Sequence, residues 1–167
     1  MTYSTLHLAK QNFKFSSAHF LIFDEKSAEM LHGHNYQVKI DLLCPNNQAS
    51  IEQGYAVDFY VLKKIIKEQC DRWDEHILLP ALHADMKHKK SADGKNYEIN
   101  FRDRFYSFPI KETIWLPIRN TSVENLSALF AQEISQEIFK LGVKKIRVAV
   151  EETRGQSASS TLINPNL

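Results

Sequence analysis

The segment HNYQVKIDLL, residues 34–43, restricts the fold more than any other part of the chain. Tyr36, Val38, Ile40 and Leu42 alternate with Asn35, Gln37, Lys39 and Asp41. A period of two is the signature of a strand with one dry face and one wet face, and it does not fit an amphipathic helix. Residues 11–20, QNFKFSSAHF, alternate as well, with Phe13, Phe15, Ser17 and His19 on one side. Both segments are expected in an antiparallel sheet that buries a single face.

Helical spacing takes over further on. Asp58 suits an N-cap, and Leu62, Ile65, Ile66, Gln69, Cys70 and Trp73 follow as a mostly apolar stripe. Thr121-Ser122-Val123-Glu124 has the pattern of a capping box with Thr121 as the cap. Leu126, Leu129, Phe130, Ile134, Ile138 and Leu141 then line one helix face, and Gly142 suits a left-handed stop. Around these helices, Pro45-Asn46-Asn47 predicts a turn, with 51–57 returning as a strand. More strand material is expected at 97–101, 105–110 and 113–118, with Arg102 and Asp103 as a turn. The polar stretch 83–95 is expected to be a solvated loop, and the last strand to run from Lys145 to Thr153. Several strands around two amphipathic helices predict an α+β fold. With 167 residues, no repeat and no low-complexity linker, one domain over 1–167 is expected.

Charge narrows the partners. Lys and Arg number 21 against 20 Asp and Glu, so the net charge of +1 gives no electrostatic footprint for nucleic acid or a membrane surface. No apolar run approaches the roughly 20 residues that cross a bilayer, and the first residues lack a basic-then-apolar secretory pattern. Two cysteines, Cys44 and Cys70, make no disulfide framework. The expected location is the cytoplasm.

His32 and His34 flank Gly33 and share the parity of Tyr36, Val38 and Ile40, so both point inward. His19 shares the inner face of Phe13 and Phe15. Three inward imidazoles on two strands match a catalytic zinc, which takes three nitrogen ligands and keeps one open position. The same residues are also compatible with histidines satisfied by hydrogen bonds in a core. Glu29, three residues before His32, is either a general base beside bound substrate or an exposed loop charge. Asp74 and His76 bracket Glu75 after the first helix; they form either a carboxylate–imidazole proton relay or a polar helix end. Glu152 continues the apolar stripe Ile146, Val148, Val150, where a carboxylate needs a partner such as a flat, guanidine-like donor, unless the strand has ended. Glu151, of opposite parity, belongs in solvent. No glycine-rich phosphate loop, nucleophile elbow or paired-cysteine zinc signature competes.

Six segments, FSSAHF (15–20), LHGHNY (31–36), GYAVDF (54–59), WDEHILLP (73–80), NTSVENL (120–126) and VAVEET (148–153), make the chain resemble the 6-pyruvoyl-tetrahydropterin synthase / 6-carboxytetrahydropterin synthase family. The resemblance implies a tunnelling fold: an antiparallel sheet with two helices on one face, joined into barrel-forming trimers that stack as a homo-hexamer with active sites between subunits. It implies Zn2+ on His19, His32 and His34, catalytic roles for Glu29, Asp74 and His76, and Glu152 as the anchor of a pterin's amino-pyrimidine edge. The family's usual catalytic cysteine is replaced by Ala28 or Glu25, depending on the spacing variant. Glu75 separates an aspartate and a histidine that are normally adjacent.

The activity so implied is a zinc-dependent lyase acting on the side chain of 7,8-dihydroneopterin triphosphate or a related dihydropterin, on the way to queuosine, tetrahydrobiopterin or folate. The glutamate-only segment resembles the variant that makes 6-hydroxymethyl-7,8-dihydropterin. A catalytically inactive zinc- and pterin-binding module is the alternative from another class.

Overall fold

The strand-forming and helix-forming periods segregate into two sheets and one helical layer. The computed structural model describes residues 2–167, the side chains of Gln48 and Ala49 excepted. In chain order the elements are β1 (Tyr3–Leu8), β2 (Lys14–His19), β3 (His32–Pro45), α1 (Gln48–Gln53), α2 (Phe59–Trp73), β4 (His76–Pro80), β5 (Lys87–Lys90), β6 (Asn96–Phe101), β7 (Arg104–Pro109), β8 (Thr113–Leu116), α3 (Val123–Lys140), β9 (Lys145–Thr153) and β10 (Gln156–Ile163).

The 14-residue β3 is the spine of a seven-stranded sheet in which six strands run in the order β10-β9-β3-β2-β4-β8 and β1 joins β3 off that path. Its first half pairs with β2, from His32 opposite His19 to Gln37 opposite Lys14, and its second half pairs with β1. These pairings and those to β9 and β10 are antiparallel, whereas β4 joins β2, and β8 joins β4, in parallel. The expected antiparallel sheet is thus extended at one side by two parallel strands. A crossover through α2 delivers β4 to β2, as a parallel neighbour requires.

Alternation along β3 becomes a dry face of Tyr36, Val38, Ile40 and Leu42 under α2 and α3. Asp58 caps α2 by accepting the Tyr60 amide at 2.7 Å, and the stripe Leu62, Ile66, Gln69, Cys70, Trp73 is buried. Trp73 stands edge-on to Phe15 at 5.4 Å and to Phe130 at 5.5 Å, tying both helices to the sheet. Cutting such a buried ring back to alanine costs about 3–5 kcal/mol.

Four sequence expectations are corrected. Residues 51–57 do not return as a strand, because Asn47 caps Ser50 at 2.9 Å and Gly54, at φ +78°, closes a short helix. The cap of α3 is Ser122, which accepts the Asn125 amide at 3.4 Å, and Thr121 is buried one step earlier. Lys87–Lys90 forms an exposed edge strand inside the stretch expected as a loop; with no dry face it shows no alternation. β9 is not last, since the polar, serine-rich β10 pairs along it. Gly142, at φ +82°, ends α3 as its sequence predicts.

β5, β6 and β7 form a separate three-stranded sheet. Ile99 and Phe101 from β6 pack with Phe20, Ile22, Leu79 and Met86 in a second apolar cluster, which roofs the loop from β2 to β3.

Candidate metal centre

Strand pairing assembles the centre. His19 is the last residue of β2 and His32 the first of β3, and the two are directly paired, so their side chains emerge together. His34, two residues on, shares that face. One ring nitrogen from each of the three lies within 4.8 Å of the others. His32 Nε2 and His34 Nε2 are 2.9 Å apart.

The ring hydrogens are committed elsewhere. His19 Nδ1 lies 3.1 Å from the Thr121 carbonyl oxygen, and His32 Nδ1 lies 2.8 Å from that of Met30. Only an N–H can pair with a carbonyl, so both rings carry their proton on Nδ1 and turn an Nε2 lone pair inward. Metal-bound histidines are oriented by this kind of bond. His19 is fully buried; desolvation, then the neighbouring His32, hold its pKa down at about 4, so the ring is neutral at pH 7. Its Nε2 is a buried nitrogen without a hydrogen bond, although Glu152 Oε1 stands 3.2 Å away. A lone pair facing a carboxylate is repulsive, and a cation between them would remove the repulsion. Three imidazole nitrogens, one of them orphaned, fit a divalent ion such as zinc.

Two carboxylates border the nitrogens. Glu29 Oε2 is 3.7 Å from His32 Nε2 and accepts the Leu21 amide at 2.9 Å, while the Glu29 amide donates to Leu21 O at 2.8 Å. Glu152 reaches in from β9, with Oε1 3.5 Å from His34 Nε2 and 3.4 Å from the Tyr36 hydroxyl. Burial, then Glu152, raises the Tyr36 pKa, so that phenol keeps its proton and donates it. Glu151 takes the opposite face and pairs with Lys39 at 2.6 Å.

Asp74 and His76 are placed apart from this group. The Asp74 carboxylate caps the Ser16 amide at 2.7 Å, and His76 Nδ1 bonds the Asp74 main-chain oxygen at 2.5 Å. Glu75 adopts φ +58° between them, and His76 then pairs with Ser17 and lines a cavity of about 370 Å3 that His34 also borders. Among the described residues, no hydrogen bond or ion pair joins Asp74 or His76 to the three histidines.

Sequence patterns missed the group that aims His19. Thr121 gives its hydroxyl proton to Phe20 O at 3.0 Å, and Asn120 takes the Ile22 amide at 3.1 Å and gives to Ile22 O at 2.8 Å. The signal was present in Asn120-Thr121, two hydrogen-bonding residues ahead of the true cap, but a capping box accounted for the threonine.

A helix-backed sheet gathers three imidazoles at the ends of its central strands, with one carboxylate from β9 and one from the β2–β3 loop beside them, and the three imidazoles could hold a metal ion. The chain belongs to the 6-pyruvoyl tetrahydropterin synthase family, which it matches over residues 8–161. It is 32% identical over 148 residues, 87% of each chain, to a Methanocaldococcus jannaschii protein provisionally assigned as a 6-carboxy-5,6,7,8-tetrahydropterin synthase. Its fold superposes on the Plasmodium vivax 6-pyruvoyl tetrahydropterin synthase with a TM-score of 0.88 and 27% identity, covering 98% of this chain and 100% of that one. Two more structures of the P. vivax enzyme, at the same identity and coverage and TM-score 0.85, carry alanine or cysteine in place of a glutamate described as a catalytic residue. Among the described residues no helix is long and apolar enough to cross a membrane.

Proposed function

We propose that the chain is a zinc-dependent lyase acting on the side chain of 7,8-dihydroneopterin triphosphate or a close relative. The observation that carries this reading is the convergence of the His19, His32 and His34 nitrogens with a carboxylate, Glu29, 3.7 Å from one of them. Zinc held there would supply Lewis acidity to oxygens of the substrate side chain. Glu29 takes the proton released at the adjacent carbon or hydroxyl, the work of a general base. Glu152 accepts two parallel N–H bonds from the amino-pyrimidine edge, with the Tyr36 hydroxyl steadying it. Asp74 and His76 serve as a relay only if another subunit brings them to the site, as in the homo-hexamer the family implies.

The carboxylate favours cleavage to 6-hydroxymethyl-7,8-dihydropterin over the thiol-dependent outcomes. Cys44 lies toward the far end of β3 and Cys70 within α2, both buried in the core under the helices. The catalytic glutamate of the P. vivax enzyme supports the same assignment for Glu29. Zinc-loaded protein incubated with dihydroneopterin triphosphate is expected to yield this product by mass spectrometry. A 6-pyruvoyl or 6-carboxy product would move the chain to the other branch of the family. No turnover at full zinc occupancy would leave a binding module.

A further inference from the structure

The loop from β2 to β3 carries Glu29 into the site, yet much of its main chain is held from outside. Within the loop, Asp24 accepts the amides of Lys26 and Ser27 at 2.7 and 2.8 Å, and Ile22 bridges Ala28. Beyond these, two guanidiniums from the β6–β7 hairpin grip four main-chain carbonyls of the loop. Arg102 Nη2 donates to Asp24 O, and Arg102 Nη1 to Ser27 O at 3.5 Å. Arg104 Nη1 donates to Glu29 O, and Arg104 Nη2 to Ala28 O at 3.1 Å.

The clamp is itself anchored. Arg102 sits at φ +57°, in the two-residue turn between paired Phe101 and Arg104, so both arginines project from one hairpin tip. Arg102 Nε bonds Asp85 at 2.8 Å. Both guanidiniums lie by the ring of buried Phe101, 4.9 and 5.8 Å from its centroid. A planar fork with paired donors can satisfy two carbonyls at once, which a lysine ammonium does not reproduce.

We propose that Arg104 is a positioning residue for Glu29, with Arg102 fixing the other end of the same loop. The small sheet thereby sets where the carboxylate stands relative to the histidines. This rests on the reading of Glu29 as the base. A displacement of about 1 Å at a reacting group costs on the order of 100-fold in rate, so loosening the Glu29 main chain acts on turnover and not on metal retention.

Two measurements on the zinc-loaded protein test it. In the first, amide hydrogen exchange over residues 21–31 is compared among wild type, Arg104→Met and Arg104→Lys. Exchange should quicken in this segment alone, with zinc content unchanged; unaltered exchange overturns the clamp. In the second, turnover of dihydroneopterin triphosphate by Arg104→Met should fall about 100-fold in kcat with little change in KM. Arg104→Lys should recover part of the loss. In a Glu29→Gln background the same substitution should cost less than about twofold, because it acts through the missing carboxylate. An undiminished loss in that background overturns the proposal. Should Arg104→Met lose zinc or sheet protection, Arg104→Lys decides by the same readouts. Should wild type fail to turn over, the functional reading falls, and the exchange experiment still judges the clamp.

Discussion

The three histidines and Glu29 meet at one place but are held there by different means. His19 and His32 are directly paired strand ends, flanked by the buried Phe20, Phe15 and Tyr36, and their positions follow from the register of the large sheet. Glu29 stands on a loop, half-exposed, and is fixed by bonds to Leu21 and by arginines of the small sheet. A metal cradle tolerates little movement, and the main-chain ladder of a central strand supplies that rigidity. A base must reach a substrate that comes and goes, and side chain-to-carbonyl bonds hold it with less cooperativity.

Removing a strand-borne ligand should have the largest effect. His32→Ala is expected to lose zinc and turnover together, as metal analysis per chain would register. Stoichiometric zinc in that variant would break the comparison, since the sheet would then not be the metal's support. Glu29→Gln is next: zinc stays, and kcat falls by about 100-fold or more, the usual loss with a general base. Wild-type turnover would take the loop out of the chemistry altogether. Glu152→Ala should raise the pterin dissociation constant by about 10- to 100-fold, the range for a hydrogen bond to a charged group, with metal retained. Thr121→Val leaves the main-chain bond to His19 but removes the hydroxyl 3.3 Å from Nδ1 and its tie to Phe20 O. Zinc affinity, titrated against a chelator, should drop about 10-fold.

What the sequence discloses divides along the same line. A two-residue period is a strong and local signal, so the inward set of His19, His32, His34 and Glu152 could be read from parity, and β9 was bounded correctly from Lys145 to Thr153. The helices α2 and α3 were equally legible, because apolar stripes are set by burial under the sheet. The parallel addition of β4 and β8 was not, since strand order depends on contacts far apart in sequence. β1, β5 and β10 were also hidden: edge and surface strands bury too little to alternate clearly. The sequence places Arg102 in a turn and gives Arg104 no role, and nothing local in Arg-Asp-Arg says that the carbonyls they bind lie some 75 residues earlier. Thr121 was misplaced as a cap because a threonine ahead of Glu124 satisfies that pattern whether or not its hydroxyl is free to do so.

The smallest effect is expected from the thiols, which sharpens the contrast by showing a reactive residue type with no part in the site. Desolvation in the core pushes the Cys70 pKa from 9.0 up to about 12, and burial raises that of Cys44 in the same direction. Neither supplies a thiolate near neutral pH, so thiol-directed reagents should label the folded protein slowly, and Cys70→Ala should leave kcat unchanged. The linkage follows from the proton count. Between 9 and 12 the unfolded chain has released the Cys70 proton and the folded chain has kept it, so the folded state binds more protons and stability falls as pH rises through this window. Below 9 the contribution is fully present. Denaturant unfolding at stepped alkaline pH should therefore show a decline that is shallower in Cys70→Ala than in wild type. An equal slope in both would mean that Cys70 ionises as readily in the fold as outside it, and that the core under α2 is wetter than its packing implies.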